Sequence, residues 1–261
     1  MAQRRWAAEM VAPQYLSRAP IKEGLIDFQF EAPVAMAALE EFAKQIGDQY
    51  EKVSLIRRQR IEINLTDGKG TQSEDVNLPP VGMRFESPKS GPPHVVLTRT
   101  SGFTYSRLEP YKDWEQLRES AMAVWQRFLE VVQPEVINRV AVRYINALHL
   151  PLKEGQPFSY YLSAAPEIPE KLPQAMSAFI QRVVMIDHKT SNRAIVTQAL
   201  EESQAARTSE GVAMFLDIDT FRTKQFAAAD AELWEALDSL RDFKNSIFFE
   251  HIKEATVELY K

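Results

Sequence analysis

Arg139 and Arg143 stand in NRVAVRYINALHLP (residues 138–151), whose other side chains read as those of a buried strand. Strand alternation puts residues 138, 140, 142, 144 and 146 on one face, and Ile137, Arg139, Ala141, Arg143 and Ile145 on the other. The two arginines then start ~13 Å apart at the backbone, with the small Ala141 between them. Side chains of that length either converge on one anionic group or each meet a carboxylate. A counterpart lies in GVAMFLDIDTF (211–221). There Val212, Met214, Leu216 and Ile218 share one face, while Phe215, Asp217, Asp219 and Phe221 share the other, with the aspartates ~7 Å apart. Such charges need partners or water, because an unpaired buried charge is costly.

Three chemistries compete for these residues. In a structural ion-pair network, a single substitution costs about 3–5 kcal/mol if the pair is fully buried. In an anion-recognition site, the guanidinium forks of Arg139 and Arg143 would take a carboxylate or phosphate. A metal site at Asp217 and Asp219 is the weakest of the three, since no histidine stands at ligand spacing.

The remaining sequence supplies no complete catalytic motif. His94, His149, His188 and His251 form no HExxH pair, and neither a nucleophile elbow nor a phosphate-cradling glycine loop occurs. The absence of cysteine excludes disulfides, thiolate metal sites and cysteine nucleophiles. A net charge of -5 argues against affinity built on phosphate neutralisation. The basic run SLIRRQR, with Arg57, Arg58 and Arg60, reads as a solvated face. No segment has signal-peptide character or the ~20 apolar residues of a membrane span. A cytoplasmic protein is expected, with no cofactor, no metal and no membrane partner.

The elements that must position these residues follow from periodicity and punctuation. Residues 1–18 read as an N-terminal arm. IKEGLIDFQF (21–30) reads as a strand, and VAMAALEEFAKQIGD, after Pro33, as a helix ending at Gly47. A strand is expected within 50–65, and a long polar loop over 66–80. Three short strands follow, GMRFES, HVVLTRT and GFTYSRLE, the last two joined at a hairpin near Ser101. The apolar stripe of 111–132 marks a helix, and 135–150 is the arginine-bearing strand. A Pro-rich connector, 163–174, precedes three strands expected to form an antiparallel meander. Residues 227–260 read as helical, with a bend at KNS (244–246). The fold expected is α+β, a single domain over 19–261. Its two weakly similar meander-plus-helix halves, 19–162 and 175–261, are joined by the Pro-rich connector, and the long C-terminal helical region of the second is expected to pack on sheet.

RAPIKEGLIDFQF, NRVAVRYIN, LDID and NSIFFEHI, in that order, carry a resemblance spanning almost the whole chain. Together they are similar to a sporadically distributed bacterial family of single-domain proteins with no established activity. The resemblance picks out Pro20, Ile21, Glu23, Arg139, Arg143, Tyr144, Asn146, Asp217 and Asp219; Gly24 stands where the family usually has alanine. Patchy distribution implies, by analogy with mobile defence or toxin–antitoxin cargo, an interaction role.

The function expected is therefore a non-catalytic binding protein engaging a protein partner, within a bacterial defence or toxin-neutralising system. Two alternatives stay open: a small anionic-ligand binder or sensor using the Arg139/Arg143 face, and an enzyme of unrecognised type. The candidate binding residues are Arg139, Arg143, Tyr144, Asn146, Asp217, Asp219 and Glu23. A nucleic-acid partner is not expected, and self-association through the C-terminal helix is an open alternative.

Overall fold

Alternation and capping account for most element boundaries. On β1 (Ile21–Phe30), Gly24, Ile26, Phe28 and Phe30 are buried, while the intervening residues are partly or fully exposed. Helix α1 (Met36–Ile46) buries Leu39, Phe42 and Ile46. Helix α2 (Trp114–Val132) starts at Asp113, whose Oδ1 accepts from the Gln116 amide at 2.7 Å. It ends at Gln133, left-handed at φ 52°, just before Pro134. The computed structural model describes residues 16–57, 61–64, 71–74, 78–153, 155–174, 176–200, 207–208 and 211–261. Arg58, Arg60 and most of the expected N-terminal arm lie outside them.

The further strands are β2 (Tyr50–Arg57), β3 (Ile61–Asn64), β4 (Thr71–Glu74), β5 (Pro80–Pro88), β6 (His94–Arg99), β7 (Gly102–Leu108), β8 (Val136–Leu150), β9 (Phe179–Ile186), β10 (Arg193–Leu200), β11 (Arg207–Thr208) and β12 (Gly211–Ala227). Helices α3 (Ala231–His251) and α4 (Glu254–Tyr260) close the chain. The main strands hydrogen-bond in the order β2-β5-β6-β7-β1-β8-β12-β10-β9, with β11 on β12, and β3 pairs separately with β4. The α+β class and the β9–β10–β12 meander match the sequence reading.

Four features differ from expectation, the first being that the one strand expected within 50–65 is instead β2 and β3, which belong to separate sheets. The expected polar loop over 66–80 contains β4, antiparallel to β3; TQSE has no apolar alternation by which a strand could be recognised. Strand β12 runs to Ala227, where a helix was expected to begin. The C-terminal helix breaks at Ile252–Lys253 rather than at 244–246. The cause is long-range: Leu162 bridges Ile252, the Lys253 amide donates to Tyr161 O at 2.9 Å, and Thr256 Oγ1 donates to the same carbonyl at 2.6 Å.

The chain divides into two compact units. One comprises Gly24–Val140 with Thr223–Trp234. Its core is aromatic: Phe28 meets Trp125 edge-on at 4.7 Å, Trp125 stacks on Phe128 at 5.4 Å, and Phe42 packs edge-on against Phe128 at 5.2 Å. Trp125 Nε1 donates to Ala228 O at 3.1 Å, so this indole is satisfied as well as buried.

The other unit comprises the chain up to Glu23, Ala141–Arg222 and Glu235–Lys261. Its core joins Leu148 and Leu150 of β8, Ala194 and Val196 of β10 and Met214, Leu216 and Ile218 of β12 to Ile247, Phe248 and Val257 of the helices. Leu16 packs against this cluster, and the Arg18 amide donates to Tyr260 O at 3.0 Å. Gly211, at φ 144°, opens β12 so close to β8 that an added Cβ would lie 2.2 Å from Leu150 O. Only glycine fits that approach.

Candidate functional site

The alternation read from the sequence holds along β8 and β12. On β8 the even positions from Val140 to Leu150 are buried; on the other face Arg139, Arg143, Ile145 and Ala147 are partly exposed, although Ile137 and Ala141 beside them are buried. On β12, Met214, Leu216, Ile218 and Thr220 are buried and Asp217, Asp219 and Phe221 partly exposed.

Arg143 meets Asp217 bidentately: Nε donates to Oδ1 at 2.8 Å and Nη2 to Oδ2 at 2.6 Å. This is the fork geometry that arginine supplies to a carboxylate. The Asp217 hydrogen bonds, with smaller contributions from the charges of Asp217, Asp219 and Glu23, hold the guanidinium above its ordinary pKa against the opposing effect of burial. Glu23, Arg143, Asp217 and Asp219 thus form one electrostatic group in the 141–222 unit. The fork of Arg143 is filled from within.

Arg139 belongs to the 24–140 unit, where its Nη1 lies 3.4 Å from Asp27 Oδ1. Asp27 Oδ2 accepts from Arg99 Nη2 and from Thr104 Oγ1, each at 2.7 Å, and Arg99 Nη2 also reaches Thr104 Oγ1 at 2.9 Å. Sequence reading overlooked Asp27, Arg99 and Thr104. The available signal was the one that found Asp217: a lone aspartate in an alternating apolar strand, here GLIDFQF.

Tyr144 and Asn146 lie on the opposite, covered face. Asn146 Nδ2 donates to Leu216 O at 2.9 Å, a fully buried bond that ties side chain to neighbouring backbone. The Tyr144 ring faces Lys244 of α3, whose Nζ lies 3.8 Å from the ring centroid. Burial, reinforced by Arg241 and opposed by Asp242, pulls the Lys244 amine down to about 7.

The meander places a second feature beside the Arg143 group. Its registers align Ile180, Ala199 and Phe215 in one row, Arg182, Thr197 and Asp217 in the next, then Val184, Ile195 and Asp219, then Ile186, Arg193 and Phe221. Phe179 and Met185 of β9 pack on the core from the other face. The even-numbered apolar residues of β9 remain open: Ile180 is 76% exposed, Val184 53% and Ile186 48%, with Phe215 of the same face at 45%. β9 ends the strand order, so its outer edge carries no strand among the described residues. Arg182 has no carboxylate partner among the described residues, and Arg193 lies over the Phe221 ring at 5.8 Å.

Among the described residues, no group of three or more histidines and carboxylates could hold a metal ion, and no helix is long and apolar enough to cross a membrane. No protein-family model matches the chain, and no curated protein matches it.

Proposed function

We propose that this protein is a binding module that captures an extended segment of a protein partner along the β9 edge. The observation carrying this reading is the row of exposed Ile180, Val184 and Ile186 on a terminal strand. An edge strand with free backbone groups and apolar side chains is normally blunted by charge, proline or a covering element, because it otherwise recruits another strand. β9, FIQRVVMI, has a single charge and no proline. A segment adding to it would gain main-chain hydrogen bonds, and alternate side chains would rest on Ile180, Val184 and Phe215.

Charge selects the occupant's chemistry. The two aspartates of this face lie beside Arg143, whereas Arg182 and Arg193 have no carboxylate partner among the described residues. The segment that fits is apolar at alternate positions and acidic between or beside them. The Glu23–Arg143–Asp217–Asp219 group, next to the patch, serves as its polar border.

The test combines partner capture from host extract with hydrogen exchange on the isolated complex. Slowed exchange confined to the β9 amides, with binding lost in Val184→Glu and retained in Glu51→Gln on β2, supports the reading. A partner that binds Val184→Glu as well as wild type overturns it. Light scattering covers the remaining occupant: a dimer that Val184→Glu dissociates would assign the edge to a second copy and also overturn the proposal.

A further inference from the structure

The backbone of β9 decides which of its groups an added strand would meet. At the β9–β10 turn the Asp187 amide donates to Asn192 O at 2.8 Å, so Asp187 turns its backbone inward. The register from Ile186↔Arg193 to Phe179↔Leu200 continues that pairing without a shift. Along an antiparallel ladder, successive residues direct N–H and C=O alternately to one side and the other. The odd-numbered residues of β9 therefore bond to β10. Ile180, Arg182, Val184 and Ile186 turn both backbone groups to the edge that carries no strand among the described residues.

The same residues have exposed side chains, pointing away from the core that Phe179 and Met185 meet. Unpaired backbone groups and exposed side chains thus coincide at every second position. That coincidence fixes the spacing of any strand paired there. In a hydrogen-bonded antiparallel pair, the residue directly opposite lies ~5.5 Å away at Cα and shows its side chain on the same face.

Arg182 is the position in this row that discriminates by charge. Its neighbour across the ladder is the neutral Thr197, and Asp217 beyond that is already clamped by Arg143. A carboxylate opposite Arg182 gains cross-strand attraction, whereas a lysine there meets repulsion. Opposite Ile180, Val184 or Ile186, a charged residue would forgo apolar contact.

We infer that the β9 edge selects a segment running antiparallel to it, with residues in the order apolar, any, apolar, any, acidic, any, apolar. The apolar residues stand opposite Ile186, Val184 and Ile180 in turn, and the acidic one opposite Arg182. Antiparallel addition lets each outward-facing residue exchange both hydrogen bonds with a single partner residue, and it is the more stable pairing. The pairings among β9, β10 and β12 are antiparallel as well. The inference rests on the edge-capture reading and adds direction, order and register to it.

The experiment titrates the full chain into fluorescein-labelled peptides and follows anisotropy at constant ionic strength. The reference peptide carries Val-Thr-Val-Thr-Glu-Thr-Val between short polar flanks. One variant has Lys in place of Glu, and another has the reversed order, Val-Thr-Glu-Thr-Val-Thr-Val. Saturable binding of the reference is expected, about fivefold weaker with the Lys peptide and measurably weaker with the reversed one. Arg182→Glu should invert the preference between the Glu and Lys peptides. Equal affinity for all three peptides, lost in Val184→Glu, would overturn the inference and leave edge capture standing. So would tighter binding of the reversed peptide, or an Arg182→Glu protein that keeps the wild-type preference. Binding that Val184→Glu leaves intact, or no binding of any peptide up to millimolar concentration, would overturn both.

Discussion

Lys244 Nζ lies 3.8 Å from the centroid of the Tyr144 ring, on the covered side of β8. An ammonium over an aromatic face gains cation–π attraction, but burial opposes its charge more strongly and pulls the amine down to about 7. In the unfolded chain the same lysine keeps its ordinary value near 10.5. The folded state therefore prefers the neutral amine. Its contribution to stability is complete above the unfolded value and is lost as pH falls toward 7. Stability should accordingly rise between pH 7 and 9, by about 1–3 kcal/mol. Lys244→Met should be at least as stable as wild type at pH 7 and should flatten the slope. Urea melts at pH 7, 8 and 9 measure both, and identical slopes in the two proteins would refute the assignment.

The Arg143–Asp217 pair has ideal geometry but partial exposure, with side chains 41% and 22% exposed. Screening by solvent limits what such a pair contributes, so a double-mutant cycle with Arg143→Ala and Asp217→Asn should give a coupling of about 1 kcal/mol. Arg143→Lys should recover little of it, because an ammonium cannot make the two parallel bonds. A coupling above about 3 kcal/mol would place the pair in the class of fully buried networks.

Asp27 is the more exacting position. It lies within hydrogen-bonding range of Arg99, Arg139 and Thr104, and its side chain is only 14% exposed. Asp27→Ala leaves two guanidiniums facing each other without the carboxylate between them, and should cost about 3 kcal/mol. Thr104→Val removes one neutral donor and should cost about 1 kcal/mol. The order of the two losses, read from chemical denaturation, is the expectation; equal losses would mean that Asp27 is not the hub.

What the sequence made legible here was alternation. Arg139, Arg143, Asp217 and Asp219 were placed on the correct faces because polar residues interrupting an apolar period of two reveal which face is wet. Alternation does not specify partners. It grouped Arg139 with Arg143 by their spacing on one strand, whereas Arg139 meets Asp27, a residue 112 positions away. The resemblance drew Tyr144 and Asn146 into the candidate site, although alternation assigns their even numbers to the covered face. Lys244 escaped notice because it stands among ordinary helix residues, and only tertiary burial gives it unusual chemistry. The break at Ile252–Lys253 escaped for the same reason, being made by hydrogen bonds to Tyr161.

His94 should make the protein acid-sensitive. Burial, aided by Arg107 and opposed by the bond to Pro92, lowers its pKa below the ordinary 6.5. The neutral ring is favoured on folding, so this contribution is complete above pH 6.5 and is lost as pH falls through the folded value. His94→Gln keeps polar groups but cannot take up the proton, and its stability should depend less on pH between 6.5 and 5. Parallel urea melts at those two values measure the difference. An unchanged slope would place the acid sensitivity elsewhere.

Gly211 tests the packing that positions Asp217 and Asp219. A Cβ at this residue would lie 2.2 Å from Leu150 O and 2.8 Å from Pro151 Cα, both backbone atoms that cannot rotate away. The φ of 144° adds strain for any L side chain. Gly211→Ala should therefore cost about 2 kcal/mol or more, through displacement of the start of β12. Gly155→Ala is the fitting control, since its φ of 77° is also unfavourable but nothing lies within 4 Å of the added atom. Strain alone would destabilise the two variants equally. Close contact makes Gly211→Ala the worse, and hydrogen exchange should then show lost protection in β12 and its neighbour β10.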